Sequence, residues 1–267
     1  MAKRQGEAKV RAVILAAGYA TRLYPLTRNI PKPLLKVTAE KGVIDFIVDD
    51  LSASAAVEEV AVVTNGKYCA DFTAWARRRH GRPSAGRGKG FSVRVLNDGT
   101  VSNQDRRGAV GDIAFAVRHR RIGQDLLVVG GDNLFDVGVE RFLRFAREQA
   151  PRVSLGLFDV RDRQAARRFG IVTVDDKDRV VSFEEKPARP RSTLAATCLY
   201  YFPKETLRYL REYIRDRDTS NDAPGNYIKW LMPRTGVSGF SIRNGHWFDI
   251  GHLDSYKQVL ELYNGKV

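Results

Sequence analysis

The first half of the chain alternates short apolar runs with stretches of helical periodicity. Runs at 10–16, 59–64, 90–96 and 125–129 have strand length, while 43–56, 67–79, 108–119 and 138–149 space their apolar positions as helices do. That alternation predicts a parallel sheet with helices on its faces. Beyond 150 the pattern breaks. Strand-like runs at 152–159, 170–175, 179–184 and 195–202 precede helical patterns at 203–216 and 224–232, and a last helix closes the chain at about 252–264. This portion reads as mixed and partly antiparallel, with Asp176-Lys177-Asp178 as a hairpin turn. Gly81–Gly90, rich in glycine and cations, is the expected mobile loop. The predicted class is therefore α/β: a Rossmann-like mixed, mainly parallel sheet with helices on both faces, plus a smaller antiparallel portion, all in one domain over 1–267.

Composition narrows the picture. The chain has 267 residues, 43% of them hydrophobic, enough to bury a sizeable core. No apolar run approaches the roughly 20 residues of a membrane span, and MAKRQGEAKV lacks the apolar core of a signal peptide, so the expected location is cytoplasmic, away from membrane. Cys69 and Cys198 lie far apart without a Cys/His cluster, which argues against a disulfide framework or a zinc site. A formal charge of +14 suits nucleic acid, an anionic surface or a phosphate-rich ligand. Arg77-Arg78-Arg79-His80 and Arg118-His119-Arg120-Arg121 read as solvated faces, because no aromatic residues interleave with them. Nucleic acid stays the weaker alternative.

The sharpest chemical signal follows the first strand, Val10–Leu15, which runs into Ala16-Ala17-Gly18-Tyr19-Ala20-Thr21-Arg22-Leu23 and then Pro31-Lys32-Pro33-Leu34. Gly18 and the alanines let backbone N–H groups approach phosphate oxygens. Arg22 can grip such oxygens in a fork, and Lys32 adds a mobile point charge. Pro25, Pro31 and Pro33 restrict the loop that carries both. Two carboxylates stand out further on. Asp132 follows an apolar strand through Gly130-Gly131, where a turn or cap role is the plain alternative. Asp249, in Trp247-Phe248-Asp249-Ile250-Gly251, has apolar neighbours and needs a partner, either a Mg²⁺ or one of the many arginines.

LAAGYATRLYPLT followed by PKPLL resembles the signature of the sugar-phosphate nucleotidylyltransferases, the family of glucose-1-phosphate thymidylyltransferase and its relatives. The match extends from about Val10 to Tyr256. It implies a nucleotide-binding half over 10–150 and a sugar-phosphate-binding half over 151–267, with no residues left for the β-helix domain some members carry. It also implies Mg²⁺ held by Asp132 and Asp249, catalytic cations at Arg22, Lys32 and Lys186, and nucleotide contacts from Leu15, Ala16, Ala17, Gly18, Thr21, Arg22, Asn103, Gly108 and Asp132. The Phe183-Glu184-Glu185-Lys186-Pro187 motif places Glu185 and Lys186 on the sugar phosphate, joined by Asn133, Gly170, Thr197, Tyr200 and Trp247. Implied substrates are a nucleoside triphosphate and a sugar 1-phosphate, and relatives are often homo-oligomers.

Departures from the pattern bear on specificity. Asn103, with Gln104 beside it, stands where a longer amide reads the base, so the nucleotide stays open. Cys198 replaces a usual glycine, and Asp222-Ala223-Pro224-Gly225-Asn226-Tyr227 lacks the phosphate-binding arginine of that segment. A cytidylyltransferase acting on a phosphorylated alcohol, cyclitol or phosphonate is the alternative, and a non-catalytic nucleotide-sugar-binding subunit a further one.

Overall fold

Val10, Ala12, Val13 and Ile14 are buried on both faces of the first strand in the computed structural model, which describes residues 8–80, 91–216 and 218–265. A strand that excludes water on both sides belongs at the centre of a helix-covered sheet. The chain runs through β1 (Val10–Leu15), α1 (Val43–Ala53), β2 (Val57–Thr64), α2 (Cys69–His80), β3 (Ser92–Asn97), α3 (Gly108–His119) and β4 (Leu126–Gly130). It continues as β5 (Asn133–Phe135), α4 (Val139–Glu148), β6 (Val153–Asp159), the single turn α5 (Arg163–Ala166), β7 (Gly170–Val174), β8 (Val180–Glu185) and β9 (Leu194–Phe202). Helices α6 (Arg208–Arg215) and α7 (Pro224–Thr235), strands β10 (Val237–Ser241) and β11 (Trp247–Asp249), and α8 (Leu253–Tyr263) complete it.

The main sheet has the order β10-β6-β9-β4-β1-β2-β3, with β7 and β8 attached beside β9. Strands β3, β2, β1 and β4 are mutually parallel, as the alternation predicted. Antiparallel β9 lies between β4 and β6. Helices α1, α2, α4 and α8 pack one face, and α3, α6 and α7 the other. Because β2 and β4 flank β1 on opposite sides, the chain reverses its winding there, and ligands of open α/β sheets bind at the carboxyl ends of such a pair.

Several expectations change. Strands β5 and β11, three residues each, are too short for periodicity to reveal, and β10 was not expected; it pairs parallel to β6, in keeping with a second half that is mixed and only partly antiparallel. The helix expected at 203–216 is a 3₁₀ turn, Lys204–Thr206, followed by α6. The Asp176–Asp178 turn does join antiparallel β7 and β8: the Asp175 carboxylate accepts from the Lys177 and Arg179 N–H groups, and Asp178 takes φ 57°. Gly81–Gly90 lies outside the described residues. Neither arginine cluster is wholly solvated, since Arg79 pairs with Asp45 at 2.8 Å and Arg120 with Glu59 at 2.9 Å. Among the described residues, no helix is long and apolar enough to cross a membrane.

Candidate active site

The loop after β1 is braced from below and open above. Buried Asn65 donates to the Ala17 carbonyl at 2.8 Å, and buried Thr27 donates to the Ala20 carbonyl at 2.7 Å. Ala20 adopts φ 50°, which swings the chain into a 3₁₀ turn, Thr21–Leu23, with Arg22 exposed. Among the described residues, the N–H groups of Ala17, Gly18, Tyr19 and Ala20 donate to no acceptor. A Cβ built on Gly18 would meet nothing within 4 Å. These are the properties of a cradle for anionic oxygens. A small cavity here is lined by Leu15, Ala16, Gly18, Ala20, Lys32, Pro33 and Asp132.

Gly130 and Gly131 carry the chain from β4 into the site at close quarters. A Cβ on Gly131 would lie 2.7 Å from the Leu15 carbonyl oxygen, and one on Gly130 2.7 Å from the Asn133 amide nitrogen. Asp132 follows, and the β5–β11 ladder sets Asn133 opposite Asp249. Two carboxylates that are 117 positions apart by their numbers thereby share one corner, tied further by the Ile250 N–H donating to the Asp132 carbonyl at 2.9 Å.

Their electrostatics differ. Burial works to raise the Asp132 carboxyl, but the Lys32 ammonium at 2.8 Å and the Asn133 amide at 2.8 Å outweigh it and hold Asp132 below the usual range. Asp249 is pushed up to about 7, first by burial and then by the Asp132 charge, against the pull of Lys32, Arg22 and Lys186. Cations expected from three separate motifs thus converge on one acid. The donor set suits a hard cation: it offers carboxylate oxygens only, and among the described residues Asp249 has no close counter-charge. Among the described residues no cluster of three or more ligating side chains forms, so phosphate and water would complete the shell, which is the habit of Mg²⁺.

A second cavity opens on the other side of the Asp132–Asn133 step, with Asn133, Gly170, Glu185, Lys186, Tyr200, Trp247 and Asp249 in its wall. Gly170 pairs with Glu185 across β7 and β8, and Lys186, at φ 45°, donates its N–H to the Phe169 carbonyl. Phe169 meets Trp247 edge-on with centroids 5.0 Å apart. Trp247 donates Nε1–H to Asn133 Oδ1 at 2.7 Å, so the amide that steadies Asp132 is itself held. Burial pushes the Cys198 thiol and the Tyr200 hydroxyl up, which leaves both neutral in the floor of the cavity.

Three expected residues stand elsewhere. Thr197 is fully buried and donates to the Gly156 carbonyl at 3.0 Å. Side chains alternate along β9, so Ala196, Cys198 and Tyr200 face the cavity and Thr197 faces away. Gly108, at φ 75°, is pressed against Asn221, whose carbonyl oxygen would lie 2.4 Å from an added Cβ. That glycine serves chain packing. Asn103 is exposed on a loop closed by the Arg106–Asp222 ion pair at 3.0 Å, and it lines neither cavity. Conversely, Arg168 and Gly225 line the second cavity without having been expected there. For Arg168 the signal was its place directly before the Phe169-Gly170 pair.

A family model described as nucleotidyl transferase matches residues 11–265. Among solved structures, a protein of Bacillus anthracis described as a glucose-1-phosphate thymidylyltransferase, in complex with a sucrose, superposes with a TM-score of 0.72. The superposition covers 95% of this chain and 94% of that one at 21% sequence identity, which makes it a likeness of fold.

Proposed function

The chain belongs to the nucleotidyl transferase family and is a nucleotidyltransferase; we propose that it transfers a nucleoside monophosphate from a nucleoside triphosphate to a sugar 1-phosphate, a hexose 1-phosphate first among candidates. The observation that carries this reading is the meeting of two cavities at the Asp132–Asn133 step, with Lys32, Arg22 and Lys186 all within electrostatic reach of Asp249. One cavity presents bare backbone N–H groups and the other presents Glu185, Trp247 and Tyr200. Residues 10–150 would hold the nucleotide and 151–267 the acceptor.

The reaction joins a phosphate oxygen of the acceptor to the α-phosphorus of the triphosphate. The α–β bridging bond breaks, and its electron pair leaves with pyrophosphate. The acceptor oxygen is already ionised at neutral pH, so no side chain must remove a proton, and the work is positioning and charge neutralisation. Arg22 and the loop at Gly18 would hold the β- and γ-phosphates. Lys186 would draw the acceptor phosphate in, and Lys32 would offset the repulsion between two anionic reactants while fixing Asp132. Glu185 would accept from acceptor hydroxyls. Asp132 and Asp249 would hold Mg²⁺, which when bound neutralises phosphate charge at the bond being made and broken.

The test is pyrophosphate release by the purified protein with Mg²⁺, pairing each common nucleoside triphosphate with hexose 1-phosphates and with phosphorylated alcohols, cyclitols and phosphonates. Release with a hexose 1-phosphate supports the reading. Release only with an alcohol, cyclitol or phosphonate supports cytidylyl-type transfer, which Cys198 favours by filling the cavity floor beside Gly130. Tight triphosphate binding with no release from any pair would overturn catalysis in favour of a binding subunit.

A further inference from the structure

Helices α3 and α6 leave a groove between them that the transfer reaction does not use. Its floor is apolar, built from Val117, Ile122, Leu210 and Ile214, and its volume of about 590 Å³ falls within the roughly 300–1,000 Å³ of clefts that hold ligands. Its rim carries Arg118 and Arg121 from the end of α3 and Arg211 and Arg215 from α6, all exposed. No carboxylate lines it, and none of the four arginines has an ion-pair partner among the described residues. Glu212, the acid on α6 nearest in sequence, acts on Arg208 and on Tyr227 of α7 instead. Arg11, Arg79 and Arg120, by contrast, all pair with acids.

Arg121 stands at the rim in a backbone conformation that favours glycine. At φ 50° it follows the end of α3, where Ile122 donates back to the Val117 carbonyl at 2.9 Å. This is a helix-closing turn whose left-handed position is usually glycine.

We propose that the groove between α3 and α6 is a docking site for an acidic amphipathic helix of a partner protein. Charge complementarity selects the sign, because four unpaired guanidinium forks match carboxylates. The apolar floor selects an occupant with an apolar face, which inorganic phosphate or a bare polyanion lacks. Helix α6, Arg208–Arg215, runs about 12 Å along the groove at 1.5 Å per residue, two helical turns, which suits apolar anchors at i, i+4 and i+7. Among the described residues no aromatic side chain lines the groove for base stacking, which disfavours nucleic acid. A concave site also fits a flat bilayer poorly, and a two-fold pairing of copies would set arginines against arginines.

The probe is a labelled synthetic peptide of about 15 residues, stapled as a helix because short free helices are marginal, with leucines at i, i+4 and i+7 and flanking glutamates. It is titrated against the full chain by fluorescence anisotropy. Expected is micromolar binding that weakens at least about tenfold in the Arg118→Glu/Arg211→Glu variant and at high salt, with pyrophosphate release by that variant unchanged. Arg121→Gly separates docking from folding: it should raise Tm by roughly 2 °C while weakening the peptide. No binding of the acidic peptide, equal binding by its lysine-flanked counterpart, or equal binding by the charge-reversed variant overturns the proposal. So does tighter binding of an oligonucleotide or of phosphatidylserine vesicles through the same arginines.

Discussion

Lys32 and Asp132 are 100 positions apart in the chain, and their side chains meet at 2.8 Å, Nζ to Oδ2. The lysine keeps one half-buried acid ionised and stands beside a second acid, Asp249, that no cation among the described residues contacts directly. Lys32→Met removes both a charge proposed to face the reactants and the group that orients Asp132. Pyrophosphate release should fall by about 10²-fold or more, with the circular dichroism spectrum unchanged. Retention of full activity would place the phosphates elsewhere.

Asp132→Asn and Asp249→Asn should each lower turnover by several orders of magnitude and abolish the rise in Tm that Mg²⁺ with nucleotide gives the wild type. The folds should survive, most clearly for Asp249→Asn. With its carboxyl pushed up to about 7, Asp249 is already partly protonated near neutrality, and an amide resembles that form. EDTA should silence the wild type and leave its Tm without ligand unchanged.

Gly18 and Gly131 should respond oppositely to alanine. An added Cβ at Gly131 would sit 2.7 Å from the Leu15 carbonyl and 3.0 Å from the Pro33 ring, so Gly131→Ala should lose about 2 kcal/mol or more of stability. At Gly18 the same Cβ meets open space. Gly18→Ala should therefore melt within a degree or two of wild type yet raise KM for the triphosphate, as denaturation curves and initial rates would show.

The cavity proposed for the acceptor offers a test of strand alternation. Thr197→Val should cost about 1 kcal/mol through its lost bond to the Gly156 carbonyl and leave KM for the acceptor alone. Cys198→Leu should raise that KM by intruding on the floor. Arg168→Gln, which removes a cation from the cavity wall, should raise it about tenfold with little change in KM for the triphosphate. A larger KM effect from Thr197 than from Cys198 would reverse the assignment of faces.

Asp112, on α3, is buried against Asp98, and its other oxygen has no partner among the described residues. Burial first and the Asp98 charge second push its carboxyl from 3.8 up to about 8, with Arg107 opposing. Between about pH 4 and 8 the unfolded chain sheds this proton and the fold keeps it. Stability from this group is thus full below about pH 4 and falls with rising pH, by at most about 1.4 kcal/mol per unit. Asp112→Asn keeps a donor toward Asp98 and cannot ionise. Its unfolding free energy should gain on the wild type steadily from pH 4 to 8, and parallel denaturant curves at each pH would show whether it does.

Local chemistry was readable along the chain. Five apolar residues of β1 mark a strand buried on both faces, and the small residues from Ala16 to Ala20 mark an open turn, although Asn65, 48 positions away, is what braces it. Gly130-Gly131 likewise marks Asp132 as lying just past the end of a strand, whereas the crowding that requires glycine at 131 comes from the Leu15 carbonyl and is tertiary.

Pairings were not readable, because each depends on a register that the whole core selects. Three-residue strands such as β5 and β11 have no stability of their own and exist only by facing each other, yet that ladder is what sets Asn133 opposite Asp249. A shift of one position along β9 exchanges Thr197 for Cys198 in the cavity wall, and nothing local to Leu194–Phe202 chooses between them. Arg79 and Arg120 looked like their neighbours until tertiary contacts gave them Asp45 and Glu59 and left Arg118 and Arg121 without an ion pair among the described residues. The sequence by itself determined the layered α/β class through short-range sterics and polarity, and its motifs singled out the loop after β1 and the acids and cations proposed here for the chemistry. Only the tertiary structure decided which of them touch, because contacts a hundred residues apart follow from how the two cores pack against the sheet.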